Sequence, residues 1–267
     1  MRGWRSLRLG MHIVQGALTI ALIYRFCSEV QQDRLRQRWS RRLLAMLGIK
    51  LSHEGQPQPG ALLVANHISW LDIYVINAIA PSAFVSKAEV RGWPLIGWLA
   101  ARNSTIFLQR GSRGHARIVN KEINGVLGMG RNVAVFPEGT TTDGSQVLHF
   151  HAALLQPAVS AGRPVQALAI SYLDGEGRPT AAPAYDGDLS LGACLANILA
   201  HRSLTARLCA AEPMATDAET ALNRRELAQT ARADIIRMAG LTAGETEMEE
   251  TEAASLPGEP RAVVAQP

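Results

Sequence analysis

Ala61-Leu62-Leu63-Val64-Ala65-Asn66-His67-Ile68-Ser69-Trp70-Leu71-Asp72 opens the part of the chain whose pattern decides the fold. Residues 61–65 are small or aliphatic with no polar alternation, the pattern of a short strand buried on both faces. The strand ends near Asn66. Ser69 is placed to cap the next helix, and the apolar spacing from Leu71 to Ile79 predicts that helix. The same unit recurs downstream. Ala83–Ser86, Thr105–Leu108, Val133–Phe136 and Val165–Tyr172 read as further strands, with helices expected near Leu95–Ala101, Ala116–Met129 and Ala152–Ala161. Strands alternating with helices predict an α/β fold with a central, mostly parallel sheet flanked by helices. Two later helices, near Leu189–Leu208 and Ala218–Met238, are expected on its surface.

The stretch before this unit differs in character. Leu9–Tyr24 is apolar and bounded by Arg2, Arg5, Arg8 and Arg25. As a helix of sixteen residues it would extend about 24 Å, short of the roughly 30 Å hydrocarbon core of a bilayer. No small-residue cleavage site follows, so a signal peptide is disfavoured. Leu35–Ile49 then sets Leu35, Trp39, Leu43, Met46 and Leu47 against Arg36, Arg38, Arg41 and Arg42, an apolar stripe with a basic flank suited to the headgroup region. Residues 1–50 carry ten Lys/Arg against two acids, a balance of +8, beside an apolar run. That arrangement suits an anionic membrane surface better than a nucleic acid. Residues 241–267, with six Glu and one Arg, read as a disordered acidic tail. The expected division is membrane-anchoring helices over 1–56, a catalytic domain over 57–240, and the tail. Cys27, Cys194 and Cys209 show neither a disulfide nor a zinc spacing.

Within the catalytic domain, His67 and Asp72 stand five residues apart. On one continuous helix they would point about 140° apart and could not touch. With His67 in the turn before the helix, Asp72 can reach back to the imidazole, fixing its tautomer while the other ring nitrogen takes a proton from a hydroxyl. Asp72 can equally serve the helix cap with Ser69. Arg110 and Arg113 lie in the loop after Ile106–Leu108, where guanidinium groups suit a phosphate. Phe136-Pro137-Glu138-Gly139-Thr140 ends a buried strand with a carboxylate beside a glycine, a candidate acceptor-binding site.

In order and approximate spacing, these segments resemble the glycerolipid acyltransferase family over about residues 60–175. Asn66-His67 through Asp72 resembles its His-(four residues)-Asp motif, Arg110 and Arg113 its Arg-rich motif, residues 136–140 its third motif, and residues 162–170 its looser fourth. The resemblance implies acyl transfer without a cofactor or metal, from acyl-carrier protein or acyl-coenzyme A to the free hydroxyl of a lysophospholipid, lysophosphatidic acid first. It implies His67 as base and Asp72 as its orienting partner. Arg110 and Arg113 would hold the acceptor phosphate, with Lys87 resembling a family lysine near it, and Glu138, Gly139 and Thr140 would shape the glycerol site. It further implies an inner-membrane protein with its site on the cytoplasmic side. One departure stands out: Thr141-Thr142-Asp143 follows where many members place an arginine. A lyso-ornithine lipid is therefore the alternative acceptor, and an inactive membrane lipid-binding protein is the non-enzyme alternative. A nucleotide-binding Gly-x-x-x-x-Gly-Lys loop and a Gly-x-Ser-x-Gly elbow are both missing from the sequence.

Overall fold

The computed structural model describes residues 2–93, 96–109, 113–216 and 222–243, with backbone alone at 2–4, 96, 113–116 and 242. Seven strands form one sheet: β1 (Ile49–Glu54), β2 (Leu62–Ala65), β3 (Ser82–Lys87), β4 (Ile106–Leu108), β5 (Asn132–Val135), β7 (Val165–Leu173) and β8 (Leu204–Ala210). Their order across the sheet is β1-β8-β7-β2-β5-β3-β4. The five strands from β7 to β4 run parallel; β8 is antiparallel to β7, and β1 is parallel to β8. A separate two-stranded pair joins β6 (Gln146–Val147) to β9 (Thr242–Ala243).

The apolar character of residues 61–65 follows from position. Residues 61–65 are all fully buried, because β2 is central and both its faces are covered. Leu63 and Ala65 pack with α2 (Glu29–Met46), α3 (Asp72–Ile79) and α7 (Leu191–Ala200) on one face. Leu62 and Val64 pack with α5 (Arg113–Gly128), α6 (Gln156–Ala161) and α8 (Arg224–Ala239) on the other. Since β2, β3, β4, β5 and β7 are parallel, their C-terminal ends share one edge of the sheet, where ligands of open α/β folds bind.

Three expectations change. The helix expected through Leu208 stops at Ala200, and Leu204–Ala210 enters the sheet as β8. There Leu204, Ala206 and Leu208 are buried while Thr205 and Arg207 are not, a period of two. Strand β1 was likewise not expected; it lies before Pro57–Gly60 yet forms the sheet's edge. The apolar stripe of α2 turns inward rather than to headgroups, since Leu43, Leu44 and Leu47 belong to the core.

Helix α1 (Arg2–Leu18) continues through a π turn at Thr19–Ile23 and a 3-10 turn at Tyr24–Phe26. Arg5–Phe26 is long and apolar enough to cross a membrane by length and composition, longer than the run expected from sequence. One face of it is nevertheless held on α2. The His12 ring stacks on Trp39 at 4.6 Å and 9°, and Trp39 Nε1 donates to the His12 carbonyl at 3.1 Å. Arg5 donates to the Leu47 carbonyl at 2.6 Å, capping the end of α2. The expected acidic tail falls outside the described residues beyond Ala243.

Candidate active site

The site is built where β2 leaves the sheet. Asn66 extends the β2–β7 pairing with its side chain: its Nδ2 donates to the Ile170 carbonyl at 3.0 Å and its Oδ1 accepts from Ile170 N at 2.8 Å. This holds the chain straight up to His67, which then sits in the turn before α3.

Asp72, the first residue of α3, is fully buried and turns back over that turn. Its Oδ2 accepts from His67 Nδ1 at 2.9 Å, Ile68 N at 2.7 Å and Ser69 N at 2.8 Å. Its Oδ1 accepts from the Tyr172 hydroxyl at 2.7 Å. Asp72 therefore makes both bonds foreseen for it, the one from Ser69 N and the one from the imidazole, although α3 starts later than expected, with Leu71 rather than Ser69 at its N-cap. Four donors converge on one carboxylate, which compensates its removal from water. An acceptor at Oδ2 requires the proton on Nδ1, so Nε2 carries the free lone pair. The imidazole keeps about a fifth of its surface exposed. One of its faces is covered by Phe136, centroids 3.9 Å apart and planes within 10°.

The third segment lies directly beside the first, because β5 pairs with β2 in register Val64↔Val135. Gly139, at φ 71°, closes a tight turn through its N–H to the Phe136 carbonyl at 3.1 Å, a backbone conformation that favours glycine. The turn points Glu138 inward. Its Oε1 accepts from His67 N at 2.7 Å and its Oε2 from Leu148 N at 2.8 Å. Burial pushes this carboxyl up to about 7, against the opposing pull of the Leu148 and His67 N–H groups. Arg232 of α8 holds the same loop through the Val147 and Leu148 carbonyls, each at 2.7 Å. Glu138 thus acts as a clasp on the turn that carries His67, with both oxygens on backbone rather than facing an acceptor.

Thr140 is exposed. Thr141 donates its hydroxyl to the Tyr185 carbonyl, and Tyr185 N donates to the Ile68 carbonyl at 2.9 Å. Thr142 N donates to the His67 carbonyl at 2.9 Å. Lys87 ends β3 on the same edge of the sheet and is exposed. Arg110 lies outside the described residues; Arg113 opens α5, its side chain likewise outside them. Sequence reasoning missed Tyr172 as a partner of Asp72. The available signal was a phenol in a strand that reads as buried, whose hydroxyl then needs a partner. Among the described residues no group of three or more His, Cys, Asp or Glu could hold a metal ion.

A histidine–carboxylate pair with its second nitrogen free, at the C-terminal edge of a parallel sheet, can take a proton from a hydroxyl. The family model described as Acyltransferase matches residues 47–171. The chain is 41% identical over 202 residues to a lyso-ornithine lipid O-acyltransferase of Pseudomonas aeruginosa, covering 75% of this chain and 76% of that protein. It is 41% identical over 172 residues to a 1-acyl-sn-glycerol-3-phosphate acyltransferase of Neisseria meningitidis, covering 63% and 67%. The crystal structure of the 1-acyl-sn-glycerophosphate acyltransferase PlsC from Thermotoga maritima shares the fold, with a TM-score of 0.59 at 24% identity over 89% of this chain and 98% of that one. Fold, site geometry and relatives agree: the chain belongs to the glycerolipid acyltransferase family, and it is an acyltransferase.

Proposed function

We propose that the protein moves a fatty acyl group from a thioester to the free hydroxyl of lysophosphatidic acid, giving phosphatidic acid. The observation that carries the reaction is the 2.9 Å contact between His67 Nδ1 and Asp72 Oδ2, which leaves Nε2 to act as base. Nε2 takes the hydroxyl proton as the acceptor oxygen attacks the thioester carbonyl. The tetrahedral intermediate then expels the thiolate, which recovers the proton from the imidazolium. Asp72 stabilises that imidazolium in between. No acyl-enzyme and no cofactor enter the cycle. The donor is acyl-carrier protein or acyl-coenzyme A. Arg110, Arg113 and Lys87 hold the acceptor phosphate, while Gly139 and Thr140 border its glycerol. Within residues 1–56, the first helix anchors the protein to the anionic cytoplasmic face of the inner membrane, while α2 and β1 pack into the catalytic domain. The exposed apolar side chains Leu7, Met11, Val14, Leu18 and Leu22 along α1 support that reading.

A second acceptor, lyso-ornithine lipid, is favoured by one specific observation. Thr141 stands where an arginine would offer a cation to phosphate, and its hydroxyl is already engaged with the Tyr185 carbonyl. The lyso-ornithine relative also aligns over more of the chain than the lysophosphatidate relative. An acceptor panel decides between them: purified protein with either thioester donor, offered lysophosphatidic acid or lyso-ornithine lipid. Transfer to the second alone overturns the first reading; transfer to neither overturns both.

A further inference from the structure

Helix α2 segregates its charge. Its two acids are spent locally or inward: Glu29 pairs with Arg131 at 3.1 Å, and Asp33 pairs with Arg131 at 3.1 Å and with the buried Arg36 at 3.3 Å. The opposite face carries Arg34, Arg38 and Arg42, at successive steps of four, with Arg41 beside them, all exposed. Arg34, Arg38 and Arg42 make no hydrogen bond or ion pair among the described residues. Like charges at this spacing repel one another along a helix, so the stripe is disfavoured unless a counter-charge arrives from outside. The stripe leads into an open cavity of about 1080 Å³ at the end of α2, lined by Arg41, Lys50, Arg202 and the apolar Leu44 and Leu51, with Asp174 and Glu176 also in its lining and paired to Arg178.

Three features say what that counter-charge is. First, this face is rigidly joined to the catalytic helix. Arg41 Nε donates to the Ala78 carbonyl at 2.7 Å and Gln37 Nε2 to the Ile79 carbonyl at 2.9 Å, both in the last turn of α3, whose first residue is Asp72. Second, the face is set back from the lipid-seeking surface. Leu9, His12, Gly16 and Ile20 are the buried residues along the first helix and its continuation, and His12 lies against Trp39 of α2. Leu7, Met11, Val14, Leu18 and Leu22 project from the opposite side. The axis of α2 therefore lies about one interhelical spacing, roughly 8–10 Å, from the axis of that helix, on the side away from those apolar side chains. Third, the stripe is long. From Arg34 to Arg42 it runs about 12 Å along α2, before Lys50 and Arg202 are added. The phosphates of one nucleotide would occupy only part of that length, whereas a row of carboxylates on a protein helix would match it.

We propose that the Arg34–Arg38–Arg42 face of α2 docks an acidic acyl-carrier protein, the macromolecular form of the thioester donor. The inference rests on the acyltransferase reading above and adds where its donor binds. Binding and turnover separate the two. The full-length protein in detergent micelles is titrated with unacylated acyl-carrier protein, and steady-state transfer is measured with acyl-carrier protein and coenzyme A thioesters of one chain length. The variant is R34E/R38E/R42E, its fold checked by circular dichroism and its vesicle binding by sedimentation.

The wild type binds the carrier, and the variant loses at least tenfold in affinity. Its KM for the carrier thioester rises by the same factor, while kcat and the KM for the coenzyme A thioester stay within twofold. The fall of carrier kcat/KM with added salt also flattens in the variant. A wild type that does not bind carrier overturns the proposal, even if coenzyme A supports transfer. So does a variant that loses both donors equally, or one that loses vesicle binding with no donor difference, which assigns the face to the membrane. Carrier binding lost in the variant, with no transfer by the wild type from either donor, upholds the docking face and overturns the acyltransferase reading.

Discussion

The Tyr172 hydroxyl donates to Asp72 Oδ1 at 2.7 Å, joining the end of β7 to the start of α3 across 100 residues of sequence. Both partners are buried, and burial, with the neighbouring Asp72 carboxylate next, holds the phenol well above its ordinary range. Tyr172 is thus a neutral donor that fixes the carboxylate from the side away from His67. Tyr172→Phe leaves Oδ1 buried and unpaired. A hydrogen bond to a charged group contributes about 1.5–3 kcal/mol, so kcat is expected to fall roughly ten- to a hundred-fold. The acceptor KM stays unchanged. A KM increase with kcat intact would contradict this role.

Asp72→Asn tests charge apart from geometry. The amide oxygen can take the three donors at Oδ2, and its NH2 can donate to Tyr172, whose hydroxyl turns to accept. The imidazole tautomer is therefore kept and only the stabilisation of the imidazolium is lost. A fall in kcat of about a hundred-fold or more is expected, with little change in Tm. Combining it with Tyr172→Phe removes the acceptor for that NH2 and is expected to lower Tm beyond the sum of the single changes. His67→Ala abolishes the base altogether; unchanged transfer would refute the mechanism.

Glu138 makes a prediction about pH. Its folded-state carboxyl is pushed up to about 7 from an ordinary 4.5, so the protonated form is favoured on folding. Its contribution to stability is fully present below about 4.5 and is lost as pH rises to about 7, above which the effect is flat. Relative to wild type, Glu138→Gln is expected to flatten that part of the Tm profile. Because glutamine offers one acceptor oxygen, either His67 N or Leu148 N also loses its partner, so kcat drops with the protein still folded. Thermal melts from pH 4 to 8 check the first point and steady-state kinetics the second.

Gly16 sits where a Cβ would lie 2.5 Å from Trp39 Nε1. Gly16→Ala forces the indole out of its stack with His12 and breaks its bond to the His12 carbonyl. Faster proteolysis within residues 1–26 and a shift in tryptophan emission are expected. The His67 site, which shares no residue with this contact, should retain its turnover in detergent.

The parallel core was legible because burial on both faces leaves a signature that needs no partner information. Strands β2, β3, β4, β5 and β7 fall within a residue or two of their expected ends, whereas β6 was not expected. Strand β8 was not legible. Its alternation of Leu204, Ala206 and Leu208 follows directly on the apolar helix Leu191–Ala200, and only the pairing with β7 separates the two. The stripe of α2 was ambiguous for a similar reason: an apolar stripe beside arginines suits lipid or a protein core, and the contact with α3 chooses the core. At the site, spacing and turn geometry allowed His67 and Asp72 to pair but left Asp72 equally open as a helix cap; the order of the other motifs favoured the pair. Glu138 could be located but not assigned, because its partners are backbone N–H groups that every residue type carries. Tyr172 required the fold, since nothing local in residues 165–173 points to residue 72.

On the proposed mechanism, the Phe136 ring against His67 bears on how the acceptor approaches the base. With Nδ1 facing Asp72, the Nε2 lone pair lies in the plane of the ring and points away from the carboxylate, and Phe136 closes one face beside it. An incoming hydroxyl must line up with Nε2 on that heading, whatever lipid carries it. Selection among alcohols is thereby divided in two. The aromatic wall dictates how the oxygen arrives, and groups farther out decide which molecule brings it. On the proposed mechanism a change of acceptor leaves the angle of attack alone, because the two demands fall on separate residues.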